Sequence, residues 1–84
     1  MREPLLVKLI DYLKENKGRL IHGGDLERLT ILNYWGEAET AKRRMRETQD
    51  PKHDNYCPNI KRQHLAHNCV AYQWTDQPEQ LSFL

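Results

Sequence analysis

Leu5, Leu6, Leu9, Ile10 and Leu13 recur at the three- and four-residue spacing of one helical face, with Pro4 just ahead of them. Proline suits a first helical turn, where its missing N–H has no partner to lose, and Gly18 provides a stop, so the spacing predicts a first helix from Pro4. Arg19-Leu20-Ile21-His22 is short and extended in character. Gly23-Gly24 then opens a second helical segment with Asp25 and Glu27 in its first turn, where acids complement the helix dipole. Its expected buried stripe is Leu26, Leu29 and Leu32. Asn33-Tyr34-Trp35-Gly36 reads as a turn.

The third segment, residues 36 to 48, has a different pattern. Ala38, Ala41 and Met45 follow the i, i+3, i+7 spacing of one narrow helical face, while Lys42, Arg43, Arg44 and Arg46 place four cations in five positions. Turning the helix at about 100° per residue puts Arg43 opposite the apolar face. Glu39, Thr40 and Glu47 fall near Arg43, Lys42 and Arg46 lie on one flank, and Arg44 lies on the other. A helix with so narrow an apolar side touches its own domain lightly and offers the remainder to solvent or to a partner.

Gln49 to Asn55 is polar, contains Pro51 and reads as a loop. Beyond it, residues 59 to 65 and 69 to 74 are two expected strands flanking Ala66-His67-Asn68 as a hairpin tip. Val70, Tyr72 and Trp74 share one parity, so one face of the last strand is suited to press on the helices. From Thr75 the composition turns polar, and residues 75 to 84 are expected to form a flexible tail after a domain spanning residues 1 to 74.

Composition narrows the class. With 84 residues, 38% apolar and 30% charged, the chain suits one small folded domain. Its apolar runs are too short to span a bilayer, and Met1-Arg2-Glu3-Pro4 lacks the apolar region of a secretory signal, so a cytoplasmic protein without membrane contact is expected. Cys57 and Cys69 are then expected as free thiols. The net charge of +1 divides unevenly, because residues 40 to 64 hold seven Lys or Arg against three acids. Positive charge gathered in one third of a chain is the footprint of a protein that meets phosphate with one face.

Helix, short strand, helix, turn, basic helix, two-stranded hairpin: this order, with the run Ala38 to Glu47 and the closing strand Val70 to Trp74, resembles the winged helix-turn-helix family of small bacterial and phage DNA-binding proteins. The resemblance implies an α+β fold of three helices with a C-terminal two-stranded β-hairpin wing. It also implies double-stranded DNA as partner, read in the major groove by residues 37 to 48. Carried onto this chain, Thr40 and Arg43 become base readers, with Glu39 available to cytosine. Lys42, Arg44 and Arg46 become phosphate contacts, and Lys61, Arg62 and His67 of the wing touch backbone or minor groove. For Arg44 and Arg46 the alternative is pairing within the chain, with Glu39, Glu47 or Asp50.

Other chemistry is less developed. His53, Cys57, His64, His67 and Cys69 are zinc-type ligands, yet no Cys-x2-Cys pair accompanies them, so neither metal nor other cofactor is expected and surface histidines with buried thiols account for them. Gly23-Gly24 lacks the spacing and lysine of a phosphate loop, and the chain is small for a deep pocket, so no enzyme is expected.

The tail residues Gln80-Leu81-Ser82-Phe83-Leu84 resemble the peptide Gln-Leu-Ser/Asp-Leu-Phe with which bacterial and phage replication proteins dock on the sliding clamp, although the last two residues are exchanged. That resemblance implies a clamp as partner, and the alternatives are a tail folded back to bury Leu81 and Phe83 on its own domain, or self-association. Three readings stay open: a DNA-binding regulator or mobile-element protein, a protein-interaction winged helix, and a replication accessory docked on the clamp. A homodimer on paired half-sites is compatible with the first.

Overall fold

In the computed structural model of the chain, which describes residues 3–76, the first leucine stripe becomes α1 (Pro4–Glu15). Pro4 sits in the first turn, and Leu5, Leu6, Leu9, Ile10 and Leu13 are all buried. The helix ends at Asn16, whose side-chain amide donates to the Tyr12 carbonyl at 2.8 Å. Gly18 follows at φ +86°, a left-handed backbone that a side chain would strain. Its N–H donates to the Trp74 carbonyl and its own carbonyl accepts from Gln73 Nε2. The turn after α1 is thereby fastened to the end of the chain's last strand.

After that turn come β1 (Ile21–His22), α2 (Gly23–Leu32), α3 (Ala38–Glu47), β2 (Ile60–Ala66) and β3 (Cys69–Trp74). The described residues thus form an α+β domain of three helices and a three-stranded antiparallel sheet in the order β1-β3-β2. The expectation of a two-stranded hairpin needs correction. Ile21 pairs with Tyr72 and His22 with Ala71, so the short extended segment becomes a third strand on the free edge of β3. An edge strand offers a row of unpaired backbone groups, and two residues are enough to use part of it.

In the hairpin, Ile60 faces Trp74, Arg62 faces Tyr72 and His64 faces Val70. Residues directly opposite share a face of the sheet. Ile60 and Tyr72 are buried, and Val70 and Trp74 pack half-buried on the same core as the α1 stripe, Leu26, Ala41 and Met45. The register shifts between His64 and Ala66, and the turn of His67 and Asn68 closes with Asn68 at φ 59°, a conformation asparagine tolerates. Past Ile60, β2 is exposed along its whole length.

In α2, Leu26 is buried as expected, but Leu29 is only half-buried and Leu32 is 66% exposed. Thr30 takes the buried position instead. Around the helix Thr30 lies about 40° from Leu26 and Leu32 about 120° away, so the core reaches the threonine first. Its hydroxyl is satisfied by donating to the Leu26 carbonyl at 2.8 Å, which lets a polar residue occupy a dry site.

The segment between α3 and β2 is tied at both ends. Cys57 N–H donates to the Thr48 carbonyl at 2.9 Å, and Gln49 Nε2 donates to the Ile60 carbonyl at 2.9 Å. Thr75 N–H bonds the Asn59 carbonyl, and Lys17 pairs with Asp76 at 2.6 Å, so backbone order continues two residues past β3. Gln80, Leu81, Ser82, Phe83 and Leu84, the clamp-like peptide, lie outside the described residues. No helix among the described residues is long and apolar enough to cross a membrane.

Replacing Leu26 by alanine is expected to lower unfolding free energy by about 2–5 kcal/mol, and replacing Leu32 to change it by less than about 0.5 kcal/mol. Urea unfolding followed by circular dichroism at low protein concentration measures both, and equal losses would show that the α2 burial pattern is misplaced.

Candidate nucleic-acid interface

The basic helix α3 is oriented by two small contacts and its own charges. Ala41 and Met45 are buried, with Ala38 half-buried beside them, so the narrow apolar stripe is the side turned inward. Glu39 lies in the first turn and Arg44 and Arg46 in the last, each sign placed where it favours the helix dipole. Glu39, Lys42, Arg43 and Arg46 are exposed and Thr40 is half-buried.

Arg44 stands apart from the other cations. Its Nε donates to Glu3 Oε1 at 2.8 Å, and its Nη1 meets Glu47 Oε2 at 3.0 Å. The guanidinium therefore clamps the chain just ahead of α1 to the last turn of α3. The bond it donates to Glu3 is the main reason its pKa is raised further, while burial acts in the opposite direction. Of the two partners, Glu47 follows from helical spacing, whereas Glu3 lies 41 positions away and nothing in the sequence announces it. Lys42, Arg43 and Arg46 enter no ion pair among the described residues, which leaves their charges available.

Glu47 is the centre of a polar cluster. Asn55 Nδ2 donates to it at 2.9 Å, Arg44 pairs with it, and His53 Nε2 lies 3.6 Å away. Burial works to raise its pKa, but the Asn55 bond, the Arg44 charge and His53 together outweigh it and hold the carboxyl below its ordinary value. The cluster anchors the loop after α3 to the helix itself.

On the hairpin, Lys61 and Arg62 are exposed neighbours on opposite faces, and His67 is exposed at the turn. Arg62 shares the face of Tyr72, the side that turns toward α3. Burial raises the pKa of the Tyr72 phenol, and the Arg62 and Arg46 charges both act against that shift. One phenol thus sits in the field of a cation from the helix and a cation from the hairpin. Tyr72 was legible as a core residue, but its place opposite Arg62 was not, because it depends on strand register.

A cleft of about 470 Å³ opens alongside, between the start of α2, α3 and the hairpin, with His22, Lys42, Met45, Cys69 and Tyr72 among its walls. Cys69 Sγ lies 3.5 Å from His22 Nδ1. The zinc-type side chains are dispersed: Cys57 is buried, His53 turns to Glu47, and Cys69 meets His22. Among the described residues no group of three His, Cys, Asp or Glu side chains is placed to hold a metal ion. Compared with known proteins, the chain matches no family model, no curated protein and no solved structure.

Because the Glu47 pKa is depressed in the folded state, its contribution to stability is fully present above the unfolded value of about 4.3 and is lost as pH falls through the lower folded value. Glu47→Gln is expected to be less stable than the wild type at neutral pH, with the gap narrowing below about pH 4.3. Thermal unfolding of both proteins between neutral pH and strong acid measures this, and a gap independent of pH would refute the assignment.

Proposed function

We propose that the chain is a winged helix-turn-helix DNA-binding module, a small transcriptional regulator or a phage or mobile-element protein, that reads duplex DNA with α3 and its hairpin. The observation that carries the reading is the exposure of Lys42, Arg43 and Arg46 on α3, without ion pairs among the described residues, directly ahead of a hairpin that exposes Lys61 and Arg62. Support also comes from the element order α1-β1-α2-α3-β2-β3, in which a hairpin follows directly on the basic helix.

The roles proposed follow from the winged-helix resemblance and from groove chemistry. B-DNA's major groove admits an α-helix, and side chains on its exposed face reach base edges while flanking cations meet phosphates. Arg43, opposite the buried stripe, offers two donors to guanine, Thr40 serves either base-pair type, and Glu39 accepts from cytosine. Lys42 and Arg46 neutralise phosphates beside the groove. Lys61, Arg62 and His67 extend contact along the backbone, since the hairpin from Lys61 to its turn is exposed. Arg44, paired on two sides, is a clamp that holds α3 rather than a phosphate contact.

Duplexes selected from a random pool at two salt concentrations are expected to share a sequence preference. For the best of them, Arg46→Ala is expected to flatten the dependence of log affinity on log salt by roughly 0.9, the amount for one phosphate contact. Arg43→Ala is expected to cost about 1–3 kcal/mol and to relax the preference at one base pair. An affinity unchanged by removing both charges would overturn the reading.

A further inference from the structure

We infer that the Tyr34 hydroxyl, presented by the turn between α2 and α3, donates a hydrogen bond to a DNA phosphate at the N-terminal end of α3. The inference rests on the DNA-binding reading and adds to it a contact that carries no charge.

The turn closes α2 in a form that is selective about its residues. Trp35 N–H donates to the Thr30 carbonyl and Tyr34 N–H to the Ile31 carbonyl, the two bonds that end a helix when the residue after its cap turns left-handed. Tyr34 is that residue, at φ 56°. Glycine takes this conformation freely and asparagine tolerates it, whereas a bulky side chain is strained there. Asn33 stands one position too early to serve, and its side-chain amide is committed to the Leu29 carbonyl at 2.9 Å. The turn therefore forms against the backbone preference of the residue at its centre.

Packing does not offset that strain. Tyr34 is 95% exposed, and its hydroxyl meets no partner among the described residues. Trp35, its neighbour, is half-buried against the core, with Lys8 6.0 Å from the centre of its ring. Of the two aromatic residues in the turn, one holds the fold and the other stands in water. A strained residue with no contact inside the molecule points to a contact outside it.

Position and charge name the partner. Tyr34 lies four residues ahead of Ala38, where α3 begins, at the end of the helix to which the DNA-binding reading assigns Glu39 and Thr40 as base contacts. Between Arg28 and Lys42 the chain has no Lys or Arg, and Glu37 and Glu39 are exposed acids. The phosphate cations Lys42 and Arg46 come later in the helix, so its first turn has none to hold a backbone. A phenol supplies the missing donor without a charge, and tyrosine hydroxyls bond phosphate oxygens in protein–DNA interfaces. The turn bonds already fix the Tyr34 backbone, so contact orders little more than one ring.

Equilibrium binding over a salt series, to the duplex selected from the random pool and to an unrelated duplex, tests the contact with Tyr34→Phe and Tyr34→Gly. Tyr34→Phe keeps the ring and is expected to weaken binding to both duplexes by roughly threefold to tenfold, the range for one neutral hydrogen bond. The slope of log affinity against log salt is expected to keep its wild-type value, because an uncharged donor releases no counterion. Arg46→Ala changes that slope and Arg43→Ala changes the base preference, so the three contacts have different signatures. Tyr34→Gly is expected to bind at least as weakly as Tyr34→Phe yet to melt a few degrees above the wild type, since it relieves the turn. A Tyr34→Phe protein that binds as tightly as the wild type overturns the phosphate contact. Weakening confined to the selected duplex overturns it in favour of a base contact, and a Tyr34→Gly protein that melts lower shows that the ring serves the fold. A wild type that binds no duplex removes the DNA-binding reading and this contact together, whereas a binding wild type matched by both variants removes this contact alone.

Discussion

The pairing of β3 on both edges is the constraint from which the rest of the molecule is positioned. β1 has two residues and no stability of its own. Seated against Tyr72 and Ala71, it fixes where α1 ends and α2 begins, while β2 on the other edge fixes how the hairpin leaves the core. Ala71 and Tyr72 are buried at the centre of this arrangement, so the strand that carries both backbone ladders also carries the contact to the helices. Gly18 and Gln73 then bind the turn after α1 to the same strand. In a domain this small, one strand used on two edges and one face replaces the larger core that a longer chain would bury.

From that frame, α3 is held by little apolar surface and by one charge cluster. A small alanine and a methionine give close approach without a wide buried side, which keeps most of the helix circumference in water. The remaining restraint is polar: Arg44 between Glu3 and Glu47, with Asn55 and His53 on the same carboxylate. Four cations in sequence thus divide into one that holds the helix and three that remain available. That division is a property of packing, because Arg44 lies on the flank that meets the chain ahead of α1.

How much of this was legible in sequence follows the range of the interaction concerned. The α1 stripe, the order of elements and the parity of Val70, Tyr72 and Trp74 rest on local periodicity, and the structure has them where the spacing puts them. Leu32 failed because a hydrophobic residue at the end of a stripe was given to the core, although the helix turns it some 120° from Leu26. Strand β1 was readable as extended but its partner was not, since two residues carry no alternation that selects a sheet edge. Glu3 with Arg44 and His22 with Cys69 are separated by 41 and 47 positions, and only the closed fold brings them together. The candidate interface was correspondingly half legible: its residues were named, but which of them remain free was decided by these long-range pairs.

The near-neutral charge of the whole chain is a weak guide to what the basic face does. At physiological salt the Debye length is about 8 Å, whereas the molecule measures 44 × 32 × 23 Å, so acids on the far side are largely screened from a ligand at α3. Lys42, Arg43 and Arg46 act locally as a basic surface even though the net charge is only +1. Glu39, exposed on the same helix, works against them toward any phosphate that approaches without regard to sequence. An acid inside a basic face lowers attraction to every backbone alike, while a hydrogen bond from a cytosine amine compensates it only at the matching base. Under the DNA-binding reading, the charge balance of this chain therefore favours selectivity over general affinity, and the few available cations are consistent with a protein that holds weakly wherever the sequence is wrong.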